Sequence, residues 1–130
     1  MVVILAILAA AVIPQFSDST VDAKSSVMLN NLNVFRMRIS VYQVEHGGQF
    51  PDATIVAELT SKTNSDGTTS GTPSLGPYFF AVPANPLVID PTVQSLVQVV
   101  SSDPTQNITT HGWIYNSTNG KIFSATDITK

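Results

Sequence analysis

MVVILAILAAAVIPQF, residues 1–16, is the stretch on which the reading of the fold turns. Its first thirteen side chains are all apolar, and no charge appears before Asp18. Thirteen residues of helix extend about 20 Å, against a hydrocarbon core of about 30 Å, so the run as written falls short of a membrane span. A secretory signal peptide would need a basic flank before the run and a small-residue cleavage site after it. Here the run begins at Met1 and ends in Ile13-Pro14-Gln15-Phe16. Pro14 has no N–H to give and clashes with the carbonyl of Ala10, which predicts a kink or an unwound turn. Such a break is costly in lipid unless neighbouring protein satisfies the freed carbonyls, which favours a helix packed among other helices.

Beyond the run the helical pattern continues. Met28, Leu32, Phe35, Ile39 and Tyr42 recur at spacings of three and four, which places them on one face of a helix. Val27, Val34, Val41 and Val44 widen that apolar surface, so that the helix has enough for two partners. His46-Gly47-Gly48 offers a left-handed cap, and Phe50-Pro51 prevents resumption. The reading is one helix to about residue 46, roughly 70 Å long at 1.5 Å per residue, too long for the remaining chain to cover. Its first half, residues 1–24, is expected to project, and residues 25–130 to form the globular head.

Within that head, residues 54–59 predict a short helix capped by Asp52 or Thr54. Residues 60–74, nine of them Ser or Thr, read as a surface loop. The segment 76–86 carries Pro77, Pro83 and Pro86 and cannot be a central strand; its aromatics are expected to plug the edge of the core. Residues 93–101 are strand-like, and Asn119-Gly120 between two apolar runs predicts a hairpin. The fold class is therefore α+β: a long N-terminal helix whose second half packs through Met28, Leu32, Phe35, Ile39 and Tyr42 on a small antiparallel sheet of three to four strands.

Charge and composition narrow the function. Charged residues make up 12% of the chain, and six basic against nine acidic side chains leave a net charge of -3. Without a basic stripe, nucleic acid is not an expected partner. There is no cysteine, hence no disulfide framework and no thiolate site. No G-x-S-x-G or glycine-rich helix opening occurs, and the carboxylates are scattered, so the chain is not read as an enzyme. His46 and His111 are expected to face solvent, and two histidines without cysteine make a poor zinc site. Trp113, Tyr115 and Phe123 are read as core or edge packing. Arg36 and Arg38 are candidates to bridge subunits to Asp18 or Asp22, setting register more than strength.

The residues also carry a family likeness. The run of residues 1–16 resembles the interior of the N-terminal signature of type IV pilins and of type II secretion pseudopilins, where Phe-Thr-Leu-Ile-Glu-Leu stands directly before Met-Val-Val. Tyr42, His46-Gly47-Gly48-Gln49-Phe50-Pro51, Gly76-Pro77-Tyr78, Asn85-Pro86 and Gly112-Trp113 look most like the short, major-pseudopilin branch. The resemblance implies a subunit that waits in the inner membrane and is then extracted by a pilus or secretion machinery. It would enter an extracellular or periplasmic helical polymer of many copies. Val2, Leu5, Leu8, Val12, Ile13, Pro14 and Phe16 would make the subunit packing. The glutamate that the family places two residues before Met1 is not in this sequence, so the expectation is that the sequence is a partial record of the mature subunit. The family's frequent C-terminal disulfide loop is also missing.

The first functional expectation is thus a structural subunit of a cell-surface filament. The alternatives are a major pseudopilin and, from another class, a membrane-tethered binding domain. Major pseudopilins often bind calcium before their last strands, and Asn85, Asp90 and Asp103 offer oxygen ligands in that region, although not in the family's order; a solvated loop is the competing reading. Asn107-Ile108-Thr109 and Asn116-Ser117-Thr118 are N-glycosylation sequons, with the hairpin expected to crowd a sugar at Asn116. The Ser/Thr loop of residues 60–74 is an alternative site for O-linked sugars.

Overall fold

The structure, a computed structural model, describes residues 2–130, with side chains described from residue 20 onward. Helix α1 (Val2–Glu45) leads into a short helix α2 (Ile55–Thr60), followed by strands β1 (Val97–Val100), β2 (Trp113–Asn116) and β3 (Lys121–Ser124). α1 is helical without interruption through Pro14, so the unwound turn expected there is not formed. Residues 20–24 are exposed, whereas the packing side chains of Val2, Leu5, Leu8, Val12, Ile13, Pro14 and Phe16 lie outside the described residues.

α1 ends where its glycines permit. Gly47 takes a left-handed φ of 66°, and the Gly48 N–H returns to the Gln43 carbonyl at 2.8 Å. Met28, Leu32, Phe35, Ile39 and Tyr42 are all buried. Phe35 meets the edges of Phe79 and Trp113 at ring separations of 5.2 and 5.8 Å. Burial of each such side chain stabilises by about 1.5–3 kcal/mol before chain entropy is counted. α2 turns Ile55 and Leu59 into the same core, and the Leu59 carbonyl accepts from the Tyr78 and Phe79 N–H groups.

The sheet is mixed rather than antiparallel throughout, with order β1-β2-β3. β2 and β3 form the expected hairpin, with Asn116 opposite Lys121. β1 instead runs parallel to β2, with Val97 opposite Trp113. A parallel pair needs a crossover of a dozen or more residues, and the segment 101–112 supplies one. β1 is also shorter than residues 93–101, because residues 91–95 form a turn, and the Leu96 carbonyl then accepts from both Gly112 and Trp113. Every residue of β2 is buried, as befits the central strand.

Three smaller expectations change. Tyr78 is buried and Phe79 packs on the core, but Phe80 is fully exposed, since consecutive side chains cannot all point to one side. His46 is 4% exposed, not solvent-facing, because the chain returns at Thr63 to cover it. His111 is half-buried. The Ser/Thr loop is pinned through fully buried Thr63, whose backbone N–H bonds the Leu75 carbonyl at 2.9 Å.

Candidate functional site

The fold leaves open an apolar surface on the side of α1 turned away from the sheet. Met37 is 61% and Val44 81% exposed, with Val27 and Val41 also exposed and Val34 half-buried. At about 100° per residue these five centre roughly 150° round the helix from the stripe of Met28, Leu32, Phe35, Ile39 and Tyr42. Val27, Val34, Val41 and Val44, read in the sequence as a widening of one stripe, therefore belong to a second face. Met37, Ser40, Val41, Val44 and Glu45 line a shallow groove of about 340 Å³ there. Among the described residues, no helix is long and apolar enough to cross a membrane.

The calcium candidates sit in three separate hydrogen-bond networks. Asn85 is fully buried, its amide donating to the Gly112 carbonyl at 2.9 Å and to Ser124 Oγ at 3.0 Å, while its Oδ1 accepts from the Leu87 N–H. Asp90 Oδ1 accepts from Thr92, by its N–H and its hydroxyl. Asp103 accepts from Asn119 Nδ2 at 2.8 Å, Asn116 Nδ2 at 2.7 Å and Lys121 Nζ at 3.1 Å. Among the described residues, no three His, Cys, Asp or Glu side chains converge as a metal cage.

Asp103 stitches the crossover to the hairpin. The amides of Asn119 and Asn116, and then the Lys121 ammonium, hold its carboxyl down at about 2. A carboxylate whose folded value is depressed contributes stability above its ordinary value, and loses it as pH falls through the folded one. Asp103→Asn should therefore lower the melting temperature slightly at neutral pH and leave it unchanged near pH 2. Thermal melts of both proteins across pH 2–7 check this; equal differences at both ends would remove the carboxylate from the account.

A second polar cluster was not foreseen. Glu58 is 4% exposed, accepts from the Asp52 N–H at 3.0 Å, and has its carboxyl pushed up by burial. Tyr42, pushed above the usual phenol range by burial and by Glu58, stacks on His46 with ring centroids 3.7 Å apart. His46 Nδ1 lies 2.8 Å from the Tyr42 carbonyl, so that nitrogen donates and Nε2 accepts from the Thr63 hydroxyl at 2.9 Å. Tyr78 donates its hydroxyl to Glu45. These groups are mutually satisfied and tie α1, α2 and the Ser/Thr loop together. The only advance signal was Glu58 within an otherwise apolar turn, TIVAEL.

The two sequons separate by burial. Asn107 is exposed, with Oδ1 accepting from the Ile128 N–H, whereas Asn116 is buried with both ends of its amide engaged. Trp113 and Tyr115 are buried, Trp113 donating to the Pro83 carbonyl and Tyr115 to the Pro51 carbonyl; Phe123 is half-buried. No family model matches the chain, and no curated protein or solved structure matches it either.

Proposed function

We propose that the chain is the structural subunit of a helical cell-surface filament of the type IV pilus class. One observation carries the reading: α1 has two apolar faces, and the chain's own sheet covers only one of them. Upstream on the same element, the sequence of residues 1–13 is apolar at every position. A surface of that length is sheltered when identical helices bury it in one another. Identical copies joined by a heterologous contact that does not close make a helical polymer. In this reading the subunit is held in the inner membrane before assembly, and the polymer lies outside the cell or in the periplasm. The head then decorates the outside of the filament, which suits a surface kept wet by hydroxyls rather than charges.

The test separates assembly from folding. Leu5→Asp with Leu8→Asp should abolish filaments seen by negative-stain electron microscopy, because each buried carboxylate would cost several kcal/mol. Trp113 fluorescence and the melting temperature of the head should stay at the parent value. Intact filaments from the double variant would refute the packing, and a parent that remains monomeric in detergent at high concentration would favour the tethered binding domain.

A further inference from the structure

The hairpin turn carries a reactive dipeptide. Asparagine is thermally labile in proteins, and Asn119 is the one asparagine of this chain that is followed by glycine. With no Cβ on residue 120, nothing shields its backbone nitrogen from the neighbouring amide carbon. Asn119 is also exposed, so water reaches it. Yet the groups that would react are all engaged. Asn119 Nδ2 donates to Asp103 Oδ1 at 2.8 Å, Asn119 Oδ1 accepts from the Lys121 N–H at 3.1 Å, and the Gly120 N–H donates to the Asn116 carbonyl at 2.9 Å. Of these partners, Asp103 comes from outside the turn. Asp52, Asp66, Asp90 and Asp127 each close on the hydroxyl of a threonine two residues on. Asp103 has Thr105 at the same spacing and reaches across to the hairpin instead, to Asn119, Asn116 and Lys121.

We propose that Asn119-Gly120 is a site of spontaneous deamidation that Asp103 holds in check. In the reaction the Gly120 nitrogen bonds to Asn119 Cγ and the Cγ–Nδ2 bond breaks. The proton that Gly120 gives up leaves with Nδ2 as ammonia. Water then opens the five-membered imide at either carbonyl, which leaves aspartate or isoaspartate at position 119. For the ring to close, the Asn119 amide must let go of Asp103 and Lys121, and the Gly120 nitrogen must let go of Asn116. The bond to Asp103 is the charge-assisted one of the three and therefore the strongest. Neither product suits the turn. Aspartate sets a carboxylate oxygen where Nδ2 met Asp103, like charge against like charge. Isoaspartate inserts a backbone carbon directly before Gly120, where even an added Cβ would stand 2.2 Å from the Phe50 ring. Phe50 packs on the core and lines the seam between α1 and β3, so the reaction loosens the hairpin from the helix.

The experiment follows the proteolytic peptide that bears residue 119 by mass spectrometry, after incubation of the full chain at neutral pH. The folded parent should deamidate about tenfold more slowly than the same chain held unfolded in guanidinium chloride. Asp103→Ala should raise the folded rate about threefold, the worth of one exposed hydrogen bond. Asp103→Asn, which keeps an acceptor oxygen without the charge, should fall between that variant and the parent. Lys121→Met is the control, because it removes the ion pair and leaves the Asn119–Asp103 bond; its rate should stay at the parent value. Trp113 fluorescence shows that each variant is folded before its rate is read. Asn119→Asp, the aspartyl product made directly, should melt about 3 °C below the parent. Equal rates in the folded and unfolded parent would overturn the proposal. So would folded Asp103 variants that react at the parent rate, or a Lys121→Met chain that reacts as fast as Asp103→Ala, since general loosening of the turn would then account for the effect.

Discussion

Asn85→Asp should cost the head about 3 kcal/mol or more, a fall of roughly 15 °C in melting temperature for a domain of this size. The side chain is fully buried, and its Nδ2 points at the Gly112 carbonyl and at Ser124 Oγ. Aspartate would set an oxygen where that donor stands, facing a carbonyl oxygen at 2.9 Å. Ionised, it would be a buried charge without a counter-ion; protonated, it would spend free energy to become so. Asn85→Ala should cost about 2 kcal/mol, because the Gly112 carbonyl and the Leu87 N–H lose a partner without gaining a repulsive one. Denaturant melts of the three proteins, with and without millimolar calcium, check the order. The calcium reading of Asn85 makes the opposite demand: an added carboxylate would strengthen the site, and the aspartate variant would become the most stable of the three once the ion is present.

That contrast marks how far the sequence was legible. Spacing of three and four located the face of Met28, Leu32, Phe35, Ile39 and Tyr42, because only a helix brings such positions together. Asn119-Gly120 between two apolar runs located the hairpin, and it is Gly120 that takes the loop's left-handed position, at a φ of 73°. The direction of β1 was hidden: it depends on where residues 101–112 travel, and a crossover without periodicity leaves no local trace. Asn85 was hidden for another reason. The same amide can bind a cation through its oxygen or brace a backbone through its nitrogen, and only the neighbours decide. His46, placed at a helix end, read as exposed because its cover comes from Thr63, seventeen residues later. The second face of α1 was half legible. Its valines were noticed, but their place opposite the core stripe emerges only once the sheet fixes which side is inside.

Gly112→Ala should be more damaging still, at about 4 kcal/mol or loss of the folded head altogether. A Cβ on Gly112 would stand 1.8 Å from the Gln94 carbonyl oxygen and 2.6 Å from its carbon. Those are backbone atoms, which no rotamer change can move aside. Nor can the strand retreat freely. The Gly112 N–H bonds the Leu96 carbonyl at 3.0 Å, and its own carbonyl accepts from Ala125 and from Asn85. Any shift that relieves the clash therefore pulls apart the start of the parallel β1–β2 pair, the C-terminal end of the chain and the Asn85 brace together. Gly47→Ala is the control. Gly47 also needs its glycine, for a φ of 66°, but an added Cβ there meets nothing within 4 Å. Its cost should be the ordinary left-handed penalty of about 1 kcal/mol. Equilibrium unfolding followed by Trp113 fluorescence ranks the two, and Trp113, adjacent to Gly112 and bonded to Pro83, reports the damage where it begins. Equal costs for the two alanines would mean that Gly112 is needed for conformation alone, and that the close passage of residue 94 over β2 does not hold the sheet's parallel half in place.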